Sequence, residues 1–225
     1  MPEPILFCWS GGKDSAMALH ALQQSPDVQI VALLTTVTET YDRISMHGVR
    51  RALLHAQGRA LGLPIHEITL EPSCSNAAYE AAFHAGLLAA QTRHPGLTGI
   101  AFGDLFLEDV RAYRERLLAG TGLRPIFPIW GQPTSSLAKR CISLGIAARV
   151  VCVDTTQLGG EFAGRLYDHA LLADLPRSVD PCGERGEFHT FVSDGPGFHG
   201  SVDYRVGERV RRDDRFMYCD LVPAG

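Results

Sequence analysis

Between an apolar run, Ile5–Trp9, and an amphipathic stretch from Ser15 to about Gln24 stands the string Ser10-Gly11-Gly12-Lys13-Asp14-Ser15. No other feature constrains the chain as much as this glycine pair set between a buried strand and a helix. Two consecutive glycines permit a tight turn and let bare backbone N–H groups approach an anion. The helix that follows adds the free N–H groups and the positive dipole end of its first turn, so phosphate is the expected guest. Lys13 offers a compact charge, Ser10 and Ser15 offer hydroxyl donors, and Asp14 offers a carboxylate that can orient Mg2+ or a neighbouring N–H. The string is neither G-x-x-x-x-G-K-[ST] nor G-x-G-x-x-G, which excludes a Walker A loop and the usual dinucleotide fingerprint. An ordinary capped strand-to-helix turn explains one glycine and one cap, but not the whole string.

The pattern around the loop defines the fold class. Ile5–Trp9, Gln29–Val37, Pro64–Leu70, Thr98–Phe102 and Arg149–Val153 read as buried strands, and such continuous apolar runs fit a parallel sheet covered on both faces. Helical spacing fills the gaps. Val49, Leu53, Ala56 and Ala60 form one stripe, closed by Gly62 and Pro64. Tyr79, Phe83 and Leu87 form a second, and Leu137, Cys141 and Leu144 a third that ends at Gly145. This alternation predicts a doubly wound α/β unit. After about residue 155 the chain turns Gly- and Pro-rich with short strands, which predicts a smaller α+β lobe; Ser201–Val206 and Arg215–Val222 pair as a hairpin.

Bulk properties exclude several partners. A net charge of -4 gives no chain-wide field for nucleic acid, and the basic run Arg205–Arg215 also holds Glu208, Asp213 and Asp214, as a solvated hairpin face would. No apolar run reaches the roughly 20 residues that cross a bilayer. The N-terminal stretch lacks the basic region of an export signal, and the six cysteines contain no C-x-x-C pair, so reduced thiols and a cytoplasmic location are expected.

Two strings carry a family resemblance. Ser10–Ser15 resembles the PP-loop, SGGxDS, of the adenine nucleotide alpha-hydrolase-like ATP pyrophosphatases. Gly183-Glu184-Arg185-Gly186-Glu187-Phe188-His189-Thr190-Phe191 resembles the GExGEFxTF signature of the diphthine–ammonia ligase family. Met46-His47, Gly103-Asp104-Leu105, Pro128-Ile129-Trp130-Gly131, Leu158-Gly159-Gly160-Glu161 and Gly164-Arg165 extend the likeness over the whole chain. The resemblance implies a HUP-type, Rossmann-like ATP domain over residues 1–130. A substrate-side domain over 131–225 would carry GERGEFHTF, with the cleft between the two.

The same resemblance assigns roles. Ser10, Gly11, Gly12, Lys13, Asp14, Ser15, His47 and Gly103 would hold ATP. Lys13, Asp14, Asp104, Glu184 and Glu187 would form the catalytic set, with Mg2+ as cofactor and no resident protein-bound metal. Glu184, Glu187 and His189 form too sparse a set for zinc. The implied reaction adenylates a carboxylate, releases pyrophosphate, and lets ammonia displace AMP. The named acceptor of that family is a modified histidine on translation elongation factor 2. Tyr41–Arg51, however, resembles the bacterial subgroup, and bacteria do not make diphthamide. A small-molecule carboxylate is therefore the expected acceptor, with a protein side-chain carboxylate as the alternative and free ammonia or a partner as nitrogen donor; the reading also admits a homodimer. The alternatives are a PP-loop thiolation enzyme acting on tRNA or a small molecule, and an ATP-binding protein without turnover.

Overall fold

The computed structural model describes residues 1–45 and 47–224. Period-two burial shapes the first sheet. In β1 (Glu3–Cys8), Ile5 and Phe7 enter one core while Leu6 enters another. In β2 (Val28–Thr38), Leu33 and Val37 join the first core while Ala32 and Leu34 join the second. A sheet apolar on both faces needs helices on both. They are supplied by α1 (Lys13–Gln23) and α2 (Arg51–Leu61) in the first core, and by α3 (Asn76–Arg93) and α4 (Glu108–Leu117) in the second.

β1 pairs in parallel with β2 on one side and with β5 (Gly99–Ala101) on the other. β4 (Ile65–Leu70) extends the sheet beyond β2, and β6 (Arg124–Ile126) beyond β5. The two-residue β3 (Arg43–Ile44) lies antiparallel on the end of β2. Strand order thus reverses at β1, and the crevice beyond the ends of β1 and β5 is where an open parallel sheet binds ligands.

The second sheet is antiparallel in the order β8-β7-β10-β9, made of β7 (Ala147–Asp154), β8 (Phe188–Asp194), β9 (Tyr204–Arg212) and β10 (Phe216–Pro223). Helix α5 (Thr134–Ser143) precedes it, and α6 (His169–Asp174) lies between β7 and β8. Val150, Phe191, Val192 and Leu221 share the first core with Phe7, Trp9 and the α1 residues Ala16, Met17 and Leu19. Helix α1 packs on both β2 and β8, so the two sheets are joined through it.

Several expectations are met in detail. Gly62 ends α2 in the left-handed region at φ 65°, and its N–H reaches the carbonyls of Arg59 and Gly58. β9 and β10 form the expected hairpin through Asp213 and Asp214, both at positive φ, and the five arginines from Arg205 to Arg215 are exposed.

Others need correction. Arg149–Val153 is not part of the parallel sheet: it lies in β7, the antiparallel neighbour of both β8 and β10. β7 is buried residue after residue from Val150 to Asp154, so it is covered on both faces, and such burial sets a strand's composition whatever its direction. Helix α1 begins at Lys13, two residues before the expected Ser15, because Gly12 serves as its N-cap. β6 escapes the pattern because it is three residues long and contains Pro125, which an edge strand tolerates.

At the end of β7, Asp154 is 1% exposed and accepts from Arg215 at 3.1 and 2.6 Å, from the Thr156 hydroxyl at 2.7 Å and from Gln157 at 3.0 Å. The Arg215 guanidinium holds this carboxyl well below the usual carboxylate range. Its contribution to stability is complete above an unfolded value of about 3.9 and is lost as pH falls through the depressed folded value. Asp154→Asn should therefore lower stability in urea by about 1–2 kcal/mol at pH 7, Arg215 being partly solvated. The variant should also lose part of the parent's destabilisation below about pH 4.

Candidate active site

The glycine loop is held from both sheets. Gly11 stands at φ 79°, open to glycine at little cost, and a Cβ there would lie 2.8 Å from the Gln57 side chain. Ser10 and Ser15 close the loop by a hydroxyl–hydroxyl bond of 2.8 Å, and Ser15 Oγ also accepts the Ser10 N–H at 3.2 Å. Gly12 has no side chain with which to cap α1. Thr190 of β8 does so instead, accepting the Lys13 N–H on Oγ1 at 3.0 Å. Two residues on, the Val192 N–H donates to the Gly11 carbonyl at 2.8 Å.

Lys13 is 2% exposed. Its Nζ lies 3.0 and 2.8 Å from the two Asp14 oxygens, donates to the Cys182 carbonyl, and stands 5.4 and 5.3 Å from the ring centres of Tyr167 and Phe188. Burial, the largest single influence, would depress the ammonium, but the Asp14 carboxylate and the neighbouring Cys182 and Cys141 together keep Lys13 above its ordinary value. Lys13 is thus charged and directed at Asp14 and the C-terminal loop.

That loop divides its two glutamates. Glu187 is 1% exposed and accepts the Asp180 N–H at 2.8 Å and the Arg185 N–H at 2.9 Å, one on each oxygen. Expected from the sequence in the cleft, it instead folds the loop from within, because both oxygens are spent on backbone donors. Glu184 crosses to the first sheet and accepts the Leu105 N–H at 2.9 Å. Burial pushes its carboxyl up to about 7, against the lowering effect of that N–H.

Gly103 and Asp104 follow β5. A Cβ on Gly103 would come within 3.2 Å of the Asp14 and Ser15 backbone, so glycine lets β5 end against the first turn of α1. Asp104 does not cap α4, whose N-cap is Leu107, and pairs instead with Arg114 at 3.3 Å. His47 reaches the Thr190 carbonyl with Nδ1 at 3.3 Å and packs against His189 at 4.6 Å between ring centres. Burial pushes His47 down to about 4 and His189 down to about 3, so both imidazoles are neutral near pH 7. The His47 loop is tied to β10 by Arg43 and Arg50, which grip Asp220 at 2.9 and 2.6 Å. Met46, matched with His47 in the sequence, lies outside the described residues.

Together these groups bound a cleft of about 650 Å³ whose walls include Ser10, Asp14, His47, Asp104, Glu184 and His189. Arg114 and Tyr79 also line it; nothing in the sequence singles out Arg114, and the sequence marks Tyr79 only as part of a helical stripe. Among the described residues no cluster of three or more His, Cys, Asp or Glu side chains could hold a metal by itself. Asp14, Asp104 and Glu184 are hard oxygen donors of the kind Mg2+ takes one or two at a time, with phosphate and water completing the shell. The donor set therefore fits magnesium brought with a nucleotide. Among the described residues no helix is long and apolar enough to cross a membrane.

Comparison with known proteins finds matches over most of the chain. Residues 5–125 match the model of the diphthamide synthase N-terminal domain, and residues 133–220 that of the diphthamide synthase C-terminal domain. A diphthine–ammonia ligase of Danio rerio is 26% identical over 228 residues, which cover 92% of this chain and 89% of the relative. A diphthine–ammonia ligase of Schizosaccharomyces pombe (strain 972 / ATCC 24843) is 22% identical over 210 residues, covering 86% of this chain but 35% of that protein.

The Glu184 carboxyl is raised in the folded chain, so folding is penalised progressively as pH climbs from its unfolded value, about 4.3, towards 7. Glu184→Gln keeps an acceptor for the Leu105 N–H and removes that penalty. The variant should be about 1 kcal/mol more stable than the parent at pH 8 and equal to it at pH 4, in urea titrations at both values.

Proposed function

The chain belongs to the diphthamide synthase family, and from that premise we propose that it is an ATP-dependent, AMP-forming ligase that amidates a carboxylate with ammonia. The observation that carries this reading is the convergence of the Ser10–Ser15 loop, Asp104 and Glu184 on one cleft. Residues 1–130 supply the nucleotide side and residues 131–225 the acceptor side. The acceptor is a small-molecule carboxylate.

A carboxylate resists ammonia because its leaving group would be oxide. Attack of its oxygen on the α-phosphorus of ATP forms the acyl–AMP mixed anhydride and expels pyrophosphate. Ammonia then forms the C–N bond, the bond to AMP breaks, and the nitrogen gives up a proton. Donors directed at the departing phosphates favour the first step, since the negative charge grows there. The glycine loop and the first turn of α1 offer such donors, and His47 borders them. Magnesium, when bound, would neutralise phosphate charge, with Asp14 and Asp104 as its protein oxygens. Glu184, with a pKa of about 7, is suited to take the nitrogen proton. Glu187 acts at one remove, by fixing the loop that presents Glu184. Thiol chemistry is less well supported: burial pushes Cys8 and Cys182 up to about 12, so both stay protonated.

With ATP, magnesium, ammonium and a panel of small carboxylic acids, the protein should release AMP and pyrophosphate in equal amounts. Release of ADP and phosphate would overturn the assignment. Asp104→Asn and Glu184→Gln should each cut turnover about 100-fold while leaving the chain folded by circular dichroism.

A further inference from the structure

Gln57 lies on α2, outside every matched motif, and is wholly buried. An uncharged amide in such a place costs stability unless its donors and acceptor are satisfied. Here they are. Oε1 accepts the indole N–H of Trp9 at 2.9 Å, and Nε2 donates to the Gly11 carbonyl at 3.0 Å and to the Val192 carbonyl at 2.6 Å. One side chain therefore ties together the end of β1, the glycine loop and β8 of the second sheet.

The Gly11 bond has a consequence for the cleft. In a trans peptide the carbonyl and the next residue's N–H lie in one plane and point in opposite directions. Gln57 and the Val192 N–H draw the Gly11 oxygen into the protein interior. The Gly12 N–H of the same peptide is thereby turned the other way, where its contact is a long one of 3.4 Å to Ser10 Oγ. The Trp9 indole settles which end of the amide faces the loop, since an indole N–H can only donate and so must meet Oε1. Without that anchor the amide could reverse and present an acceptor to the Gly11 carbonyl.

We propose that Gln57 is a positioning residue for the phosphate site: by gripping the Gly11 carbonyl it aims the Gly12 N–H at the phosphates of ATP. The proposal rests on the nucleotide reading above, and the test separates the two. ATP with magnesium and adenosine alone are titrated into the parent and into Gln57→Met by calorimetry, after thermal unfolding has shown the variant to be folded. The expected result is an ATP affinity at least tenfold weaker with adenosine affinity within twofold of the parent, because adenosine carries no phosphate. Should the variant fail to fold, Trp9→Phe removes only the anchor and should shift the same ratio by a smaller factor. An unchanged ratio of ATP to adenosine affinity in the folded variant would overturn the role of Gln57. Failure of the parent itself to bind ATP would instead sink the nucleotide reading.

Discussion

The docking of β8 on the glycine loop is the contact on which the rest of the site depends. A loop with two glycines is soft, since glycine loses more freedom on folding than any other residue. Such a loop holds one shape only when its surroundings specify it. Here the Val192 N–H takes the Gly11 carbonyl, Thr190 takes the Lys13 N–H, and the Cys182 carbonyl takes the Lys13 ammonium. All three partners come from about 170 to 180 residues further along the chain. The glycine loop is therefore not a local motif: much of its scaffold is β8 and the loop that precedes it. The shared core under α1 makes this docking part of the fold rather than a contact between independent bodies.

The same docking arranges the charges. Lys13 is the cation nearest the loop, yet Asp14 and the Cys182 carbonyl engage it. Arg114 is likewise paired with Asp104. With His47 and His189 held neutral by burial, the proposed hold on phosphate falls to the loop's backbone donors. Asp14, Asp104 and Glu184 then leave the cleft rich in carboxylate, a composition that calls for a divalent cation beside a polyphosphate. Glu184 sits where this crowding and burial combine, and its raised pKa follows from position rather than from any special partner.

Much of this was legible in the chain, for identifiable reasons. Burial on both faces writes itself as continuous apolar runs, so β1, β2, β4 and β5 could be read from composition, whereas the short β3 and β6 could not. Gly62 and Gly145 announced helix ends because each must adopt positive φ. Strand direction was not legible, and Arg149–Val153 was assigned to the wrong sheet because a central antiparallel strand is as apolar as a parallel one. The separate fates of Glu184 and Glu187 were not legible either. They stand three residues apart in one motif, and only the folded loop shows that one turns inward to backbone donors while the other spans to Leu105. Gln57 gave no signal at all. A glutamine in an otherwise amphipathic helix looks like a surface residue until its three partners are in place.

The choice of lysine at position 13 can be argued on the same physical ground. Of 21 basic residues only Lys13 and Lys139 are lysine. Lys139 is exposed on α5, and nothing in the structure explains it. Position 13 is different. Its side chain runs between the rings of Tyr167 and Phe188 and ends on three oxygens, two from Asp14 and one from Cys182. An ammonium has three donors on one small tetrahedral centre and can meet three convergent acceptors. A guanidinium spreads its five donors over a flat fork, and in a site this closed it would displace a ring or leave donors without acceptors. In a chain whose basic residues are otherwise nearly all arginine, lysine therefore suits position 13, where the two lobes meet around a buried ammonium.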